Sequence, residues 1–456
     1  MRRCRTTLTA SIIRKTSLES NAQTYGRVLR LAGPIILANL SVPLLGAVDT
    51  AIMGHMDAPH YLAGLALGAL VFSFLYWGFG FLRMGTTGFA AQALGAKDPQ
   101  ALGNSLAQAL LLALIFAFIA IIAQPLIAAL AFGVLEGSSD ALSHAKAYFA
   151  IRIWSAPATL MTYALLGWLI GIQRTRDTLY IQIVLNGLNA GLDYLFVVEF
   201  GWGVAGVALG TVIAEYIALA VGLYLVRRQW RAHHAHTNKA GILAPGSISR
   251  LISVNGDIFI RTFCLITAFA LVTREGGRLG DTWLDANAVL MMFQTFLAFG
   301  LDGFAMAVEG LAGAAFGAKD RAALQRAVKA STVLAVVTAG LYTLVYALWG
   351  HALINMFTDL PEVRTIAYDY LPWLIASPIL SVWCFQLDGI FIGAQRTRDM
   401  RNMMLIAVAS FLAVLYGGLD LWGNHAIWAA LITFFIMRGL TLAIRYPALV
   451  RAITPA

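Results

Sequence analysis

Apolar residues run through this chain in long stretches that short polar segments interrupt, from about residue 26 almost to the end. The stretches cover 26–54, 62–94, 101–131, 141–172, 178–199, 203–228, 248–274, 284–316, 322–350, 361–394, 400–419 and 425–447. A hydrocarbon core of about 30 Å is crossed by roughly 20 apolar residues in a helix. The pattern therefore predicts an all-α integral membrane protein with twelve transmembrane helices. Several runs exceed what a bilayer needs, which predicts tilt, kinks or protrusion into water. Pro34, Pro43, Pro157, Pro372 and Pro378 fall inside the runs and free backbone carbonyls there. Pro34 and Pro43 make bending of the first helix inexpensive.

Composition agrees and removes one alternative. The chain is 59% hydrophobic and 12% charged, about half the charge of a soluble domain. A net charge of +9 would suit a nucleic-acid binder. Here, however, the basic residues sit in short segments between apolar runs, the mark of membrane topology. With a cytoplasmic N-terminus, the inner segments hold Lys97, Arg174, Arg176, Arg227, Arg228, Arg231, Lys239, Lys319, Arg321, Arg396, Arg398 and Arg401. The outer segments hold Arg274 and Arg278 and otherwise carry acids such as Asp57, Glu136, Asp140, Glu199 and Asp281. This asymmetry predicts both termini on the cytoplasmic side of a bacterial inner membrane. Residues 1–25 lack the apolar core of a signal peptide and read as a cytoplasmic tail. Cys4, Cys264 and Cys384 show neither disulfide nor zinc spacing, and the latter two read as inert buried thiols.

The chain repeats itself. Gly95-Ala96-Lys97-Asp98 recurs as Gly317-Ala318-Lys319-Asp320, and Gln173-Arg174-Thr175-Arg176-Asp177 recurs as Gln395-Arg396-Thr397-Arg398-Asp399. Both recurrences fall at an offset of 222 residues (317 minus 95, 395 minus 173). The longest internal polar stretch, Arg227 to Gly246, lies almost midway. It divides the chain into a tail (1–25), an N-lobe (26–228), a linker (229–247) and a C-lobe (248–450). His233, His234 and His236 in the linker have no acidic or cysteine partners, so a solvated linker is expected rather than a metal site. Six helices per half is an even number, so the halves keep one orientation, as in a parallel repeat about the membrane normal.

The segments V-P-L-L-G-A-V-D-T-A-I-M-G-H (42–55), F-L-R-M-G-T-T-G-F-A-A-Q-A-L-G-A-K-D (81–98), G-T-V-I-A-E-Y (210–216), L-D-G-F-A-M-A-V-E (301–309) and L-D-G-I-F-I-G-A-Q-R-T-R-D (387–399) resemble the DinF branch of the multidrug and toxic compound extrusion (MATE) transporters. The resemblance implies two six-helix lobes facing each other in a V, and secondary active efflux coupled to H+ or Na+. It also implies that Asp49 and Asp193 are the cation-coupling carboxylates, with Asn189 and Thr211 in their network.

The residues themselves are consistent with that role. A charge inside a membrane segment costs several kcal/mol unless paired, hydrated or neutralised. Asp193 follows Asn189 by four residues and shares its helical face. Asp49, Asn189, Asp193 and Thr211 all fall in the outer half of the bilayer by helical rise. A carboxylate in low dielectric can exchange a proton near neutral pH. At the repeat offset, Leu271 and Leu415 stand where the first half has Asp49 and Asp193, which confines the function to one lobe. The alternative is an interfacial helix cap at Asp49 and a local Asp193–Asn189 hydrogen bond.

The C-lobe holds Asp257, Arg261, Asp302, Glu309 and Asp388. Arg261 and Asp302 reach similar depth, and a structural ion pair and a coupling role are equally open for them. Arg83 either pairs with an acid or snorkels. Phe72, Tyr76, Trp77, Met291, Met292 and Phe293 are candidate linings of a cavity for lipophilic cations. The reading is an antiporter, not an enzyme. It needs no metal or organic cofactor beyond the coupling ion, H+ first and Na+ second. Its partners are small amphiphilic or cationic organic substrates and membrane lipids, not nucleic acid, and it works as a monomer. A lipid-linked precursor flippase is the nearest alternative, but it calls for a strongly basic cavity. A membrane-embedded enzyme and a non-transporting scaffold are more remote.

Overall fold

The computed structural model describes the backbone of residues 21–54 and 59–453, and the side chains of all of these but residues 21, 44, 45, 47–54 and 59. Most of the tail expected over 1–25 therefore lies outside the described residues; helix begins at Asn21. Twelve helical segments follow. They are α1 (Asn21–Gly54), α2 in two pieces (Pro59–Gly78 and Phe81–Gly95), α3 (Pro99–Ile122, continued by Gln124–Val134) and α4 (Ser139–Arg152 and Ala156–Gly171, joined by a 3-10 turn at Ile153–Ser155). Next come α5 (Thr175–Asp193, ending in a π-helical turn Tyr194–Glu199), α6 (Gly203–Ala232), α7 (Pro245–Leu279) and α8 (Asp281–Gly317). The last four are α9 (Arg321–Phe357), α10 (Pro361–Gly393), α11 (Thr397–Trp422) and α12 (Asn424–Arg451). Among the described residues, eleven helices are long and apolar enough to cross a membrane; α1, at 34 residues, has the length of a twelfth.

The prolines act as their chemistry dictates. Pro157 opens the second piece of α4, while Pro34, Pro43, Pro372 and Pro378 lie within continuous helices. Pro125 starts the second piece of α3. The breaks in α2, α3 and α4 and the π-turn of α5 all fall in the first half, whereas α7 to α12 are each a single helix.

The repeated motifs are turns. Lys97 and Lys319 adopt left-handed backbone (φ 53° and 55°), as do Gln173 and Gln395 (φ 62° and 55°). Each follows a helix end, and the next residue's N–H returns to a carbonyl five residues back: Asp98 to Ala93, Asp320 to Ala315, Arg174 to Leu169 and Arg396 to Phe391. That is the 6→1 bond of a Schellman ending. Asp98 and Asp320 then cap the following helices by accepting from the N–H groups of Ala101 and Ala323. The motifs stop one helix and start the next with no spare residues.

The halves meet through backbone. A Cβ placed on Gly95 would lie 1.9 Å from the Ala314 carbonyl oxygen, and one on Gly317 would lie 2.0 Å from the Gln92 oxygen. Ala314 and Gln92 are themselves 222 residues apart, so the two contacts are one contact seen from each side. The pair Gly88–Ile392 and Gly310–Ile170 repeats the relation, with carbonyl oxygens 2.7 and 2.8 Å from the would-be Cβ atoms. Gln92 Nε2 also donates to the Gly393 carbonyl (3.1 Å). This seam of α2, α4, α8 and α10 lies at the end of the bundle that carries the basic connections.

The linker departs from the expectation of a free solvated strand. A short helix, Lys239–Ile242, interrupts it. His236 N–H donates to the Pro99 carbonyl (3.3 Å), Asn238 N–H to Asn104 Oδ1 (3.0 Å), and Gln108 Nε2 to the Ile242 carbonyl (3.0 Å). Gly103, where a Cβ would come within 2.1 Å of the His236 oxygen, lets the linker backbone lie flat on α3. The polar side chains of α3 take up the linker's backbone groups, so it is docked, not free.

The seam yields a prediction. Gly95→Ala and Gly317→Ala drive a Cβ into a carbonyl and are expected to cost about 1–3 kcal/mol each by overpacking. Gly340, inside α9 with nothing near its would-be Cβ, should gain about 0.4–1 kcal/mol from the same change. Thermal melting of the purified variants, with the first two below wild type and the third above it, checks the assignment.

Candidate functional site

In the first half, α5 and α6 bring three of the four candidate coupling residues together. Asp193 ends the regular part of α5 with 0% of its surface exposed. One turn back, Asn189 Nδ2 donates to Thr211 Oγ1 of α6 (3.0 Å), and the Thr211 hydroxyl donates onward to the Val207 carbonyl (2.9 Å). Gly210 makes the approach possible, because a Cβ there would lie 2.5 Å from Asp193 Oδ1. The π-turn that follows Asp193 carries an extra residue per turn, a frequent feature of functional sites. The Asp49 side chain lies outside the described residues, though its backbone belongs to α1. That helix packs on α5, and Asn186 Nδ2 donates to Ser41 Oγ (2.6 Å).

A turn further along α6, Glu215 accepts from Arg152 Nη2 of α4 (3.0 Å) and from the Thr159 hydroxyl. The Arg152 guanidinium lies over the rings of Phe72 (5.3 Å), Tyr148 (5.9 Å) and Tyr76 (6.0 Å), whose π faces attract a cation. Tyr76 OH pairs with Ser155 Oγ (3.1 Å). Reading along the chain leaves Arg152 aside, although an arginine inside an apolar run is itself a costly exception and therefore a signal.

The other half fills most of these slots with apolar side chains, while Thr433 stands where the first half has Thr211. At the repeat offset Leu374, Phe411 and Leu415, none more than 1% exposed, replace Arg152, Asn189 and Asp193, and Met437 replaces Glu215. The fold is thus satisfied by apolar packing at these positions.

The C-lobe charges pair differently from the expectation. Arg261 Nη2 lies 3.7 Å from Asp388 Oδ2 on α10, not on Asp302. Asp388 is held more closely by Arg438 of α12 (2.6 Å), a residue the sequence reading also passes over. Helical rise places Arg261 and Asp302 at similar depth but cannot say which face meets which. Asp302 is partly exposed and is faced by Arg83, Arg261, Asp388 and Arg438. Asp257 accepts from Thr397 Oγ1 (2.9 Å) and Arg401 Nη1 (2.7 Å), which ties α7 to α11. Arg83 of α2 resolves as an ion pair across the seam, 3.5 Å from Glu309 Oε2 of α8.

The candidate cavity lining divides. Phe72, Tyr76 and Phe293 are core residues: Phe72 stacks on Phe149 (5.4 Å) and Phe293 meets Tyr346 edge-on (5.9 Å). Met291 packs against the C-lobe core, whereas Met292 is exposed. Trp77, also exposed, stacks across the lobes on Phe269 (6.2 Å). Aromatic content alone did not distinguish a core ring from a cavity ring.

Among the described residues, eleven helices long and apolar enough to cross a membrane, together with α1, form two repeated halves with buried polar clusters, the build of a multi-pass membrane transporter. The MatE family pattern matches twice, over residues 34–195 and 258–416, once in each half. The chain belongs to the MATE family of multidrug and toxic compound extrusion transporters, which are not enzymes. Its relatives include the DNA damage-inducible protein F of Escherichia coli, 44% identical over 414 residues, covering 91% of this chain and 90% of that one. The fold is that of a MOP superfamily transporter from Pyrococcus furiosus (TM-score 0.86, 17% identity, 95% and 97% of the two chains). It is also that of a multidrug resistance MATE transporter solved in an outward-facing conformation (TM-score 0.85, 18% identity, 95% and 97%).

Asp388 is shared by the buried Arg438 and Arg261, so Asp388→Leu strands two guanidinium groups and is expected to cost about 3–5 kcal/mol, whereas Arg438→Gln leaves Arg261 beside the carboxylate and should cost less. Asp302→Asn, at a partly exposed position outside these pairs, should cost far less. Thermal melting of the variants in detergent orders the three.

Proposed function

We propose that this chain exports small amphiphilic or cationic organic compounds across a bacterial inner membrane by antiport with H+, Na+ being the second choice of ion. The observation that carries the reading is the wholly buried Asp193 beside the Asn189–Thr211 hydrogen bond, where the other half has Leu415 and Phe411 in place of the acid and the amide. In a site that packing does not require, a carboxylate that gains and loses a proton can bias two shapes of the same pocket. Asp49 is the second acid of the site, on a helix that carries Pro34 and Pro43. With both acids ionised the pocket draws in water and cations; with both protonated α1 can close over it. A difference of one pKa unit between the two states supplies about 1.4 kcal/mol of drive.

The basic end of the bundle is the cytoplasmic end in this reading, and both termini lie there. The lobes that rock are residues 26–228 and 248–450, joined by the docked linker 229–247. The packed seam then closes the cytoplasmic side. A flippase would need unneutralised basic groups for a pyrophosphate, whereas Arg83, Arg152, Arg261 and Arg438 each stand at an acid.

Two experiments test the reading. Single cysteines at Thr237 and Ser139, both exposed, should react with an impermeant thiol reagent from opposite faces of the membrane; reaction from one face would refute the topology. In proteoliposomes, Asp193→Asn and Asp49→Asn should insert normally yet lose efflux of a fluorescent cation driven by ΔpH. Thr211→Ala, which removes a hydrogen bond and no charge, should be milder. Wild-type pumping by both asparagine variants would remove coupling from this pocket, and imposing ΔpH and ΔNa+ separately identifies the ion.

A further inference from the structure

Glu309 is buried to 1% exposure on α8 and faces the other lobe. Its carboxylate meets Arg83 of α2 through one oxygen, at 3.5 Å; the other oxygen, Oε1, is buried without a hydrogen-bond partner. A structural ion pair inside a membrane needs close, well-matched geometry to offset desolvation. This pair has no short contact and is not bidentate. Beside it lies Thr87, whose hydroxyl stands within reach of the Arg83 carbonyl (2.9 Å) and of the Glu309 carboxyl. A hydroxyl is both donor and acceptor, so by turning its proton Thr87 can donate to a carboxylate or accept from a carboxylic acid. The site therefore suits both forms: ionised Glu309 turns to Arg83, and protonated Glu309 can donate to Thr87.

The repeat argues that the pair is not needed for packing. At an offset of 222, Thr87 stands where the other half has Glu309, and Ala305 stands where it has Arg83. The neighbouring glycine contacts, Gly88 on Ile392 and Gly310 on Ile170, are present on both sides. The seam is symmetric in its backbone contacts, and this ion pair has no counterpart across the repeat.

We propose that Glu309 is a second proton-carrying group of the antiport cycle, whose charge state makes and breaks the contact between the lobes through Arg83. The proposal rests on the antiport reading and on the basic end being cytoplasmic. Ionised, Glu309 holds Arg83 and keeps the seam shut. A proton taken from the outer side neutralises the carboxyl and releases the guanidinium, and the lobes part at the cytoplasmic end. There the exposed acid gives the same proton to the cytoplasm and the pair can re-form. The charged groups facing Glu309 are Arg83 of α2 and Arg261 of α7. Asp302, two turns outward on the same face of α8, is partly exposed and is faced by Arg83, Arg261, Asp388 and Arg438. It stands between Glu309 and the outer end of the helix, where a proton would enter.

The test combines a distance with a flux. Spin labels on cysteines at Arg176 and Arg398, exposed equivalents in the two halves, are introduced after replacement of the native cysteines. They report lobe separation in liposomes at neutral and mildly acidic pH. In the parent protein acidification should lengthen the distance. Glu309→Gln should show the long distance already at neutral pH, respond little to acid, and lose ΔpH-driven efflux about tenfold, the equivalent of one pKa unit of coupling. Arg83→Gln with Glu309→Gln removes both charges; it should match wild type in expression and melting yet stay deficient in efflux. Wild-type efflux by that double variant would reduce the pair to a structural contact and overturn the proposal. An acid-induced lengthening in Glu309→Gln equal to the parent's would also overturn it. Asp193→Asn separates the two readings: it should lose efflux but keep the pH-dependent distance. If it keeps efflux while Glu309→Gln loses it, the pocket reading falls and the Glu309 proposal stands. If Asp193→Asn abolishes the distance change while Glu309→Gln keeps it, the switch lies in the first half and the proposal falls.

Discussion

Two helix backbones approach until a carbonyl of one occupies the space where the other would carry a Cβ, and this happens reciprocally at Gly95 with Ala314 and at Gly317 with Gln92. Lipid is as apolar as leucine, so burial of hydrocarbon gives helices little reason to associate within a bilayer. Close van der Waals contact over small residues supplies that reason instead. Because the contact is made by backbone, side-chain rearrangement cannot relax it, and the halves either meet there or separate as bodies. The Schellman turns at Lys97, Gln173, Lys319 and Gln395 end the four helices at this level, so the seam and the turns that define it come from the same short motifs.

A repeat this regular makes its exceptions informative. Backbone contacts and the capping Asp98 and Asp320 recur at one offset in both halves, whereas several buried polar side chains do not. The first half carries Asn189, Asp193, Thr211 and the Arg152–Glu215 pair; the second carries Phe411, Leu415 and Leu374 in three of those places. Helix irregularities follow the same division. The interruptions of α2, α3 and α4 and the π-turn of α5 lie in the first half, while the second half is built from unbroken helices. Irregular backbone at membrane depth is tolerated only where protein or water satisfies its free groups.

Much of the architecture was legible in the residue pattern. Length and hydropathy set the helix count because a bilayer has a fixed thickness. The doubled motifs fixed the repeat because each is a turn with its own backbone requirements. Buried acids were recognisable as candidates from their cost alone, and the same reasoning applied to arginine would have singled out Arg152 and Arg438. The linker read as solvated because its composition is polar, but Gly103, Asn104 and Gln108 of α3 give its backbone a surface to lie on.

The sequence by itself determined the helices, their repeat and which charges must be accounted for, since these follow from properties counted along one chain. Only the tertiary structure decided the partners. Depth along a helix comes from residue number, but the facing partner depends on rotation and packing of several helices at once. Arg261 accordingly meets Asp388 and not Asp302, and Arg83 reaches Glu309 across 226 positions of sequence. Phe72 and Tyr76 became walls around an arginine instead of walls of a cavity for the same reason. A ring offers the same face to an internal guanidinium as to a transported cation, and only its neighbours in space determine which one it meets.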